Sequence, residues 1–364
     1  MSATTPAPIP AVLLMPAGLQ HQMFTPEQLG RLEELARIDT TRTVADLAAA
    51  EEPDLAEVEV AITGWGSPMI DAAALARMPR LRAVVHTAGT VRFVVSEAVW
   101  ERGDVLVTSA TEANAVPVAE FALAQILLAG KRTLQQEAAY RRERLGAAPG
   151  GDAVPGSDGD AGSTGGAAAN TVHRARESVQ RVGTYGAVVG LIGASRIGRL
   201  VAEHLRGFDV EVLISDPYVS AEEIARLGAQ KVELPELFCR SDVVSLHAPD
   251  VPATQGMVSA QLLALMPDGA TFLNTARPAL VDVDALRTEC MSGRIAAVLD
   301  VHDDLAPDDP LWEVPTVSIT PHIAGSQGNE LHRMGEAALE EVRRLAAGEP
   351  PRYPVDPALR EFSA

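Results

Sequence analysis

Val189-Gly190-Leu191-Ile192-Gly193-Ala194-Ser195-Arg196-Ile197-Gly198 is the stretch that decides the fold of this chain. Ala187 to Ile192, small and branched apolar residues, has the length and composition of a buried strand. Downstream, Ile197, Leu200, Val201 and Leu205 recur at helical spacing. The glycines therefore occupy a turn between a strand and a helix. A second strand, Val210 to Ile214, runs into Ser215, Asp216 and Pro217. Asp216 follows the last glycine at close to the roughly twenty residues at which an acid reaches the ribose of a bound dinucleotide. Glycines here let the chain turn tightly and bring the free N–H groups of a helix start up to a pyrophosphate. One position departs from the pattern: Ser195 stands where the middle glycine of G-x-G-x-x-G is expected.

Around this unit, 364 residues with 47% hydrophobic and 22% charged content describe a soluble globular chain with room for two cores. A net charge of −19 argues against nucleic acid or an anionic membrane as the main partner, since each needs a basic face. A small anion remains compatible, because a few local arginines decide that. Cys239 and Cys290 lie in helical, partly apolar contexts and read as buried, inert thiols of a reducing compartment. The N-terminal stretch is apolar but rich in proline and lacks a charged leader, so it reads as a linker into a first strand, Ala11 to Met15. No apolar run reads as long enough to span a membrane, and the expected location is the cytoplasm.

The first third alternates strands (Ala11–Met15, Val58–Thr63, Leu81–His86, Val105–Val107) with helices (Pro26–Ala36, Ile70–Arg77, Val95–Arg102), an α/β organisation with parallel strands. Val116 to Arg144 reads as one long helix with Val118, Phe121, Ala122, Leu123, Ile126 and Leu127 on its apolar face. Residues 146–172 are mostly Gly, Ala, Ser, Pro and Asp, a composition expected to be a disordered surface insertion, read as an expansion without function in preference to a functional lid. After the glycine turn come strands at Val210–Ile214, Val243–Leu246, Ala270–Asn274, Ala296–Asp300 and Val317–Thr320. In a doubly wound sheet ligands meet the carboxyl ends of strands. The residues there are Asp216, then His247 to Pro249, Thr275 to Arg277, Asp300, and Pro321 with His322.

Together these segments resemble the D-isomer-specific 2-hydroxyacid dehydrogenases, the family that includes phosphoglycerate and formate dehydrogenases. The resemblance rests on Gly190–Gly198, Ser215-Asp216-Pro217, Ser245-Leu246-His247-Ala248-Pro249, Asn274-Thr275-Ala276-Arg277 and Thr320-Pro321-His322-Ile323-Ala324-Gly325, in the expected order. Upstream, Ala88-Gly89 and Asn114-Ala115-Val116-Pro117-Val118-Ala119-Glu120 match as well. It implies a Rossmann NAD-binding domain, residues 116–323, inserted into a smaller discontinuous flavodoxin-like α/β substrate domain, residues 1–115 and 324–364. It further implies NAD as cofactor, a small 2-keto or 2-hydroxy acid as substrate, and a homodimer built partly on the Val116–Arg144 helix.

Carried over by motif, Arg277 is the family's catalytic arginine and His322 its histidine. The residue types suit the chemistry. A histidine has a pKa near neutrality and can give a proton to a carbonyl oxygen, and a planar guanidinium grips a carboxylate bidentately. Gly193, Ser195, Arg196, Ile197 and Gly198 are expected at the pyrophosphate, and Asp216 at the ribose, which favours NAD over NADP. His247, Pro249, Thr275, Ala276 and Asp300 are expected around the rest of the cofactor, Asp300 as the family's nicotinamide-amide contact. The resemblance assigns the substrate carboxylate to the backbone amides of Ala88, Gly89 and Thr90. Arg92 is read either as a contact to an extra anionic group or as a surface arginine, and Trp65 as a core tryptophan or one wall of the pocket.

Two departures stand out. The family's catalytic glutamate has no counterpart, since no glutamate lies between Asp300 and Trp312. Asp304 is its best substitute, with Asp303 behind it, although aspartate is about 1.5 Å shorter. His302, Asp303 and Asp304 read as an acidic solvated loop and not a metal site. Ser195 is the second departure, loosening the approach to the pyrophosphate while offering a hydroxyl to a phosphate oxygen. These departures leave two alternatives open: an NAD(H)-responsive regulatory protein of the same fold, or a dehydrogenase of a formate- or phosphonate-type substrate.

Overall fold

The computed structural model describes residues 8–47, 55–146, 182–303 and 305–358. Beyond Gly146, the insertion expected at 146–172 lies outside the described residues. The chain forms two compact units, Met1–Val118 with Gly325–Ala364, and Ala119–Ala324.

The first unit holds β1 (Ile9–Leu14), β2 (Ala36–Arg37), β3 (Val60–Thr63), β4 (Ala83–His86) and β5 (Leu106–Ser109). They pair in parallel in the order β2-β1-β3-β4-β5, the flavodoxin-like order. Alternation along each strand makes two cores. Leu13, Ile62 and Val85 face one side, packing with Met334, Leu339 and Val342 of the helix Leu331–Ala347. Leu14, Ala61 and Val84 face the other, with Ile70, Met78 and Val99. A strand buried on both faces needs no polar positions, which is why β3 and β4 read as continuous apolar runs until their last residues, Thr63 and His86.

The second unit holds β6 (Ala187–Ile192), β7 (Val210–Ser215), β8 (Gln230–Lys231), β9 (Val243–Leu246), β10 (Thr271–Asn274), β11 (Ala296–Leu299) and β12 (Val317–Ile319). Its order, β12-β11-β10-β9-β6-β7-β8, is the doubly wound dinucleotide-binding order with one strand added. Val188, Leu213, Val244, Phe272 and Leu299 fill one face, and Val189, Ile214, Val243, Leu273 and Val298 the other. The order reverses between β6 and β9, so the crevice of the sheet opens there.

Several expectations are corrected. The helix expected over Val116–Arg144 is two helices, Thr111–Gly130 and Thr133–Gly146, separated where Arg132 takes φ 50°. By length and composition the first of these could cross a membrane, an 18-residue window of it having a mean hydropathy of 1.4. Its Ala119, Ala122 and Ile126 nevertheless pack in the core of the second unit. β2 and β8 were not expected, because two-residue edge strands carry no periodic signal. Cys239 is exposed, since its helix turns Leu237 and Phe238 inward instead. Cys290 is buried, and burial pushes its thiol up to about 12.

Candidate active site

The carboxyl ends of β6 and β9 touch. His247 N donates to Ile192 O at 2.8 Å, and a Cβ on Gly193 would lie 3.1 Å from the backbone of His247 and Ala248. Gly193 itself has φ 95°, a left-handed conformation that favours glycine. A Cβ on Gly198 would collide with the Gly193 carbonyl. The first and third glycines of the fingerprint are therefore required by the turn itself. Ser195 is not so constrained. It has extended backbone (φ −64°, ψ 179°) and is the N-cap of the helix Arg196–Leu205, its Oγ accepting from Gly198 N at 3.4 Å. Because Oγ accepts in that bond, its proton is left to donate. Arg196 is exposed and Ile197 half-buried in the first turn. The Asp216 carboxylate closes the turn, accepting from Ala194 N at 2.8 Å, Tyr218 N at 2.8 Å and Val219 N at 3.1 Å.

Past β9, His247 is buried, with Nε2 2.9 Å from Ser245 Oγ and Nδ1 without a partner among the described residues. Burial pushes its pKa down to about 4, so the ring is neutral near neutral pH. Thr275 Oγ1 after β10 is likewise buried and unpartnered among the described residues. Pro249, half-buried, accepts from Thr254 Oγ1 at 2.6 Å. The Asn274 side chain spans the next turn, accepting from Ala276 N at 2.9 Å and donating to Arg277 O at 3.1 Å. Arg277, half-buried, donates Nη1 to Ala276 O at 2.6 Å and pairs with no carboxylate among the described residues. Two glycine positions without room for a side chain, the start of a ten-residue helix, an acid after the next strand and orphaned polar atoms beyond fit a dinucleotide.

Asp300 is 1% exposed and committed to the segment that carries His322. Oδ1 accepts from Thr320 Oγ1 at 2.6 Å and Ile323 N at 2.8 Å, and Oδ2 accepts from Ala324 N at 2.8 Å. Between these anchors, His322 N donates to Thr320 O at 2.9 Å and His322 adopts φ 55°. A non-glycine residue there is strained, and its neighbours must hold it. Its side chain is exposed, and no described carboxylate bonds to its ring. Asp304 lies outside the described residues. His302 has Nε2 3.1 Å from Thr320 O and stacks edge-on against Trp312, with ring centroids 5.2 Å apart.

In the first unit, Ala88, Gly89 and Thr90 form the turn after β4. Every carbonyl of this turn is drawn back into the protein. Ala88 O accepts from Ala110 N at 3.0 Å, Gly89 O from Thr111 Oγ1 at 2.9 Å, and Thr90 O from the His86 ring. Thr87 is tied to Thr63 O through both its N (2.7 Å) and its Oγ1 (2.8 Å). The amides of Ala88, Gly89 and Thr90 have no partner among the described residues, and Ala88 and Gly89 are buried. Successive free N–H groups of this kind suit an anion. Arg92 and Trp65 are both exposed, so the reading of Trp65 as a core residue is corrected.

Sequence reasoning missed His86. It is buried, 2.9 Å by Nδ1 from Thr63 Oγ1, and burial holds it at about 4 against the bond to Thr90. The available signal was a polar residue closing each of two neighbouring apolar strands.

Comparison with known proteins agrees with this geometry. Residues 165–324 match the family model of the D-isomer specific 2-hydroxyacid dehydrogenase, NAD binding domain. D-3-phosphoglycerate dehydrogenase of Mycobacterium leprae is 32% identical over 323 residues, 88% of this chain and 54% of that protein. The chain thus spans about half the length of the curated relatives it matches first. Among solved structures, the TT0316 protein from Thermus thermophilus is 28% identical with a TM-score of 0.67, covering 95% of this chain and 100% of that one. D-lactate dehydrogenase from Aquifex aeolicus, complexed with NAD and lactic acid, is 26% identical with a TM-score of 0.61, covering 93% and 96%. Residues 165–324 of this chain thus carry the NAD-binding domain of the D-isomer specific 2-hydroxyacid dehydrogenase family.

Proposed function

We propose that this protein is an NAD-dependent oxidoreductase that interconverts a 2-keto acid and a D-2-hydroxy acid. The observation that carries this reading is the end of β10: Arg277 stands half-buried at the ligand edge of an NAD-binding sheet, with no carboxylate partner among the described residues. Bound NAD would supply the hydride acceptor for oxidation at C2 of the hydroxy acid, and its reduced form the hydride donor for the keto acid. His322 gives the carbonyl oxygen its proton during reduction and takes it back during oxidation. Arg277 holds the substrate carboxylate and polarises the carbonyl. Ala88, Gly89 and Thr90, whose amides have no partner among the described residues, and Arg92 of the same loop serve the substrate. Asp304 takes the part of the missing glutamate beside His322.

Gly193, Ser195, Arg196, Ile197 and Gly198 hold the pyrophosphate, and Asp216 the ribose. His247, Pro249, Thr275 and Ala276 hold the remainder of the cofactor, while the buried Asp300 acts through the Thr320–Ala324 segment that it anchors. The orphaned Nδ1 of His247 and Oγ1 of Thr275 support this, because a buried polar atom without a partner costs about 1–3 kcal/mol until a ligand supplies one. In this reading residues 1–115 and 324–364 serve the substrate, and residues 116–323 the cofactor. The helices Thr111–Gly130 and Thr133–Gly146, with exposed Leu128 and Tyr140, form part of a homodimer in the cytoplasm. Consumption of NADH across a panel of 2-keto acids tests the reading. Turnover with formation of the D-hydroxy acid supports it; tight NADH binding with no turnover would point to a regulatory role instead.

A further inference from the structure

In the unit of Met1–Val118 and Gly325–Ala364, the exposed large hydrophobic side chains among the described residues are Trp65, Met69 and Phe93, at 43%, 41% and 75% exposure. All three stand in two loops, the ones that leave the carboxyl ends of the paired strands β3 and β4. The loops are fastened together. Ile70 N donates to Val94 O at 2.8 Å, Ser96 Oγ donates to Ile70 O at 2.9 Å, and a Cβ on Gly64 would lie 2.9 Å from Thr87 Oγ1. Across residues 64–70 and 87–95 the sequence holds no acid, and Arg92 is the lone charged residue. The free amides of Ala88, Gly89 and Thr90 belong to the second of these loops.

Large apolar groups left in water are unfavourable, and on one unit they are expected to be scattered. Here they border an anion-binding turn. A ligand with its carboxylate on those amides has the rest of its atoms beside apolar side chains, not charged ones. We propose that the substrate is a 2-keto or 2-hydroxy acid with a large apolar side chain, aromatic or branched, and that Trp65, Met69 and Phe93 recognise it. This rests on the reading of the Ala88–Thr90 turn as the carboxylate site. A phosphorylated acid would instead bring a dianion against three hydrophobic side chains with one arginine to meet it, a poor exchange for its lost hydration.

The test compares kcat/KM for phenylpyruvate and 4-methyl-2-oxopentanoate with those for glyoxylate and 3-phosphohydroxypyruvate, using the full chain and NADH. A parallel calorimetric titration compares phenylacetate with acetate on the NAD-bound protein, which needs no turnover. The apolar acids are expected to lead by about a hundredfold, the discrimination a hydrophobic site gives for one or two methylenes and more. Phe93→Ala and Trp65→Ala should each reduce the ratio of phenylpyruvate to glyoxylate about tenfold. Turnover in which glyoxylate or the phosphorylated acid equals or leads the apolar acids overturns the proposal and leaves the dehydrogenase reading standing. If no acid is turned over, the dehydrogenase reading falls and the titration decides the proposal. Phenylacetate binding more tightly than acetate, with the gain lost in Phe93→Ala, supports it, and equal binding overturns it.

Discussion

The buried Asp300 carboxylate anchors the segment of His322, the proposed acid/base 22 positions away. Its three hydrogen bonds fix both sides of His322, whose φ of 55° is unfavourable without them. Replacing Asp300 with Ala frees that segment and is expected to lower kcat about a hundredfold, the scale of a misplacement of about 1 Å. Steady-state kinetics with NADH check it, and an unchanged kcat would show that His322 does not depend on this anchor. His86 plays the corresponding part for the Ala88–Thr90 turn, bridging Thr63 Oγ1 and the Thr90 carbonyl. His86→Phe keeps the bulk and loses both bonds. It should raise KM for the keto acid about tenfold and leave the Kd of NADH unchanged, because a distorted turn weakens carboxylate binding alone. At this scale the sequence was legible where spacing is local, as with Gly193, Gly198 and Asp216. It was silent where the partners come from different strands, as with Thr63 and His86, and it left Trp65 undecided between core and surface.

Strands buried on both faces announced themselves as apolar runs, and their carboxyl ends gave the loops that carry the candidate residues. The helix break at Arg132 was hidden, because Lys131 and Arg132 are good helix formers and the apolar pattern runs on across them. The loop between β11 and β12 shows another kind of local order. Arg287, on the helix Val283–Met291, grips the nearly buried Asp309 with Nε at 3.1 Å and Nη2 at 2.6 Å from the carboxylate, and also pairs with Asp284. This ion pair holds Asp309 well below the usual carboxylate range. Arg287→Met would leave the Asp309 charge without its partner at a mostly buried position. The expected loss is about 2–3 kcal/mol, less than for a fully buried pair because Arg287 is partly solvated. Urea unfolding measures it, and a loss under about 0.5 kcal/mol, the scatter of ordinary surface changes, would show the pair to be incidental.

For the molecule as a whole, two buried neutral histidines set an acid limit. His86 and His247 are both held at about 4 in the folded protein, below the ordinary 6.5 of an unfolded chain. Between those values the unfolded chain binds the extra protons, so stability is complete above about pH 6.5 and falls as pH drops toward about 4. Each histidine contributes on the order of 3 kcal/mol to that fall. Urea unfolding through this range should show the slope, and His86→Phe should remove about half of it; a flat profile would contradict the burial of neutral rings. The net charge of −19 adds its own pH dependence through the carboxylates, which lies mostly at lower pH.

The two-sheet architecture was readable from the alternation of strands and helices, because doubly wound sheets impose that order on the sequence. The strand orders, β2-β1-β3-β4-β5 and β12-β11-β10-β9-β6-β7-β8, carry the glycine turn to the crevice where the second order reverses. Which acid fills the site depends on loops with no periodicity, and only the folded structure joins the loop of Trp65 and Met69 to that of Phe93. The most direct measurement of the central claim is NADH oxidation by 2-keto acids, made on the unaltered protein and on His322→Ala, with NADH affinity determined for both. The account predicts turnover to the D-2-hydroxy acid that falls by about 10²–10⁴-fold in the variant while NADH binds equally well. Equal turnover in the two proteins, or none in either despite tight NADH binding, would contradict it.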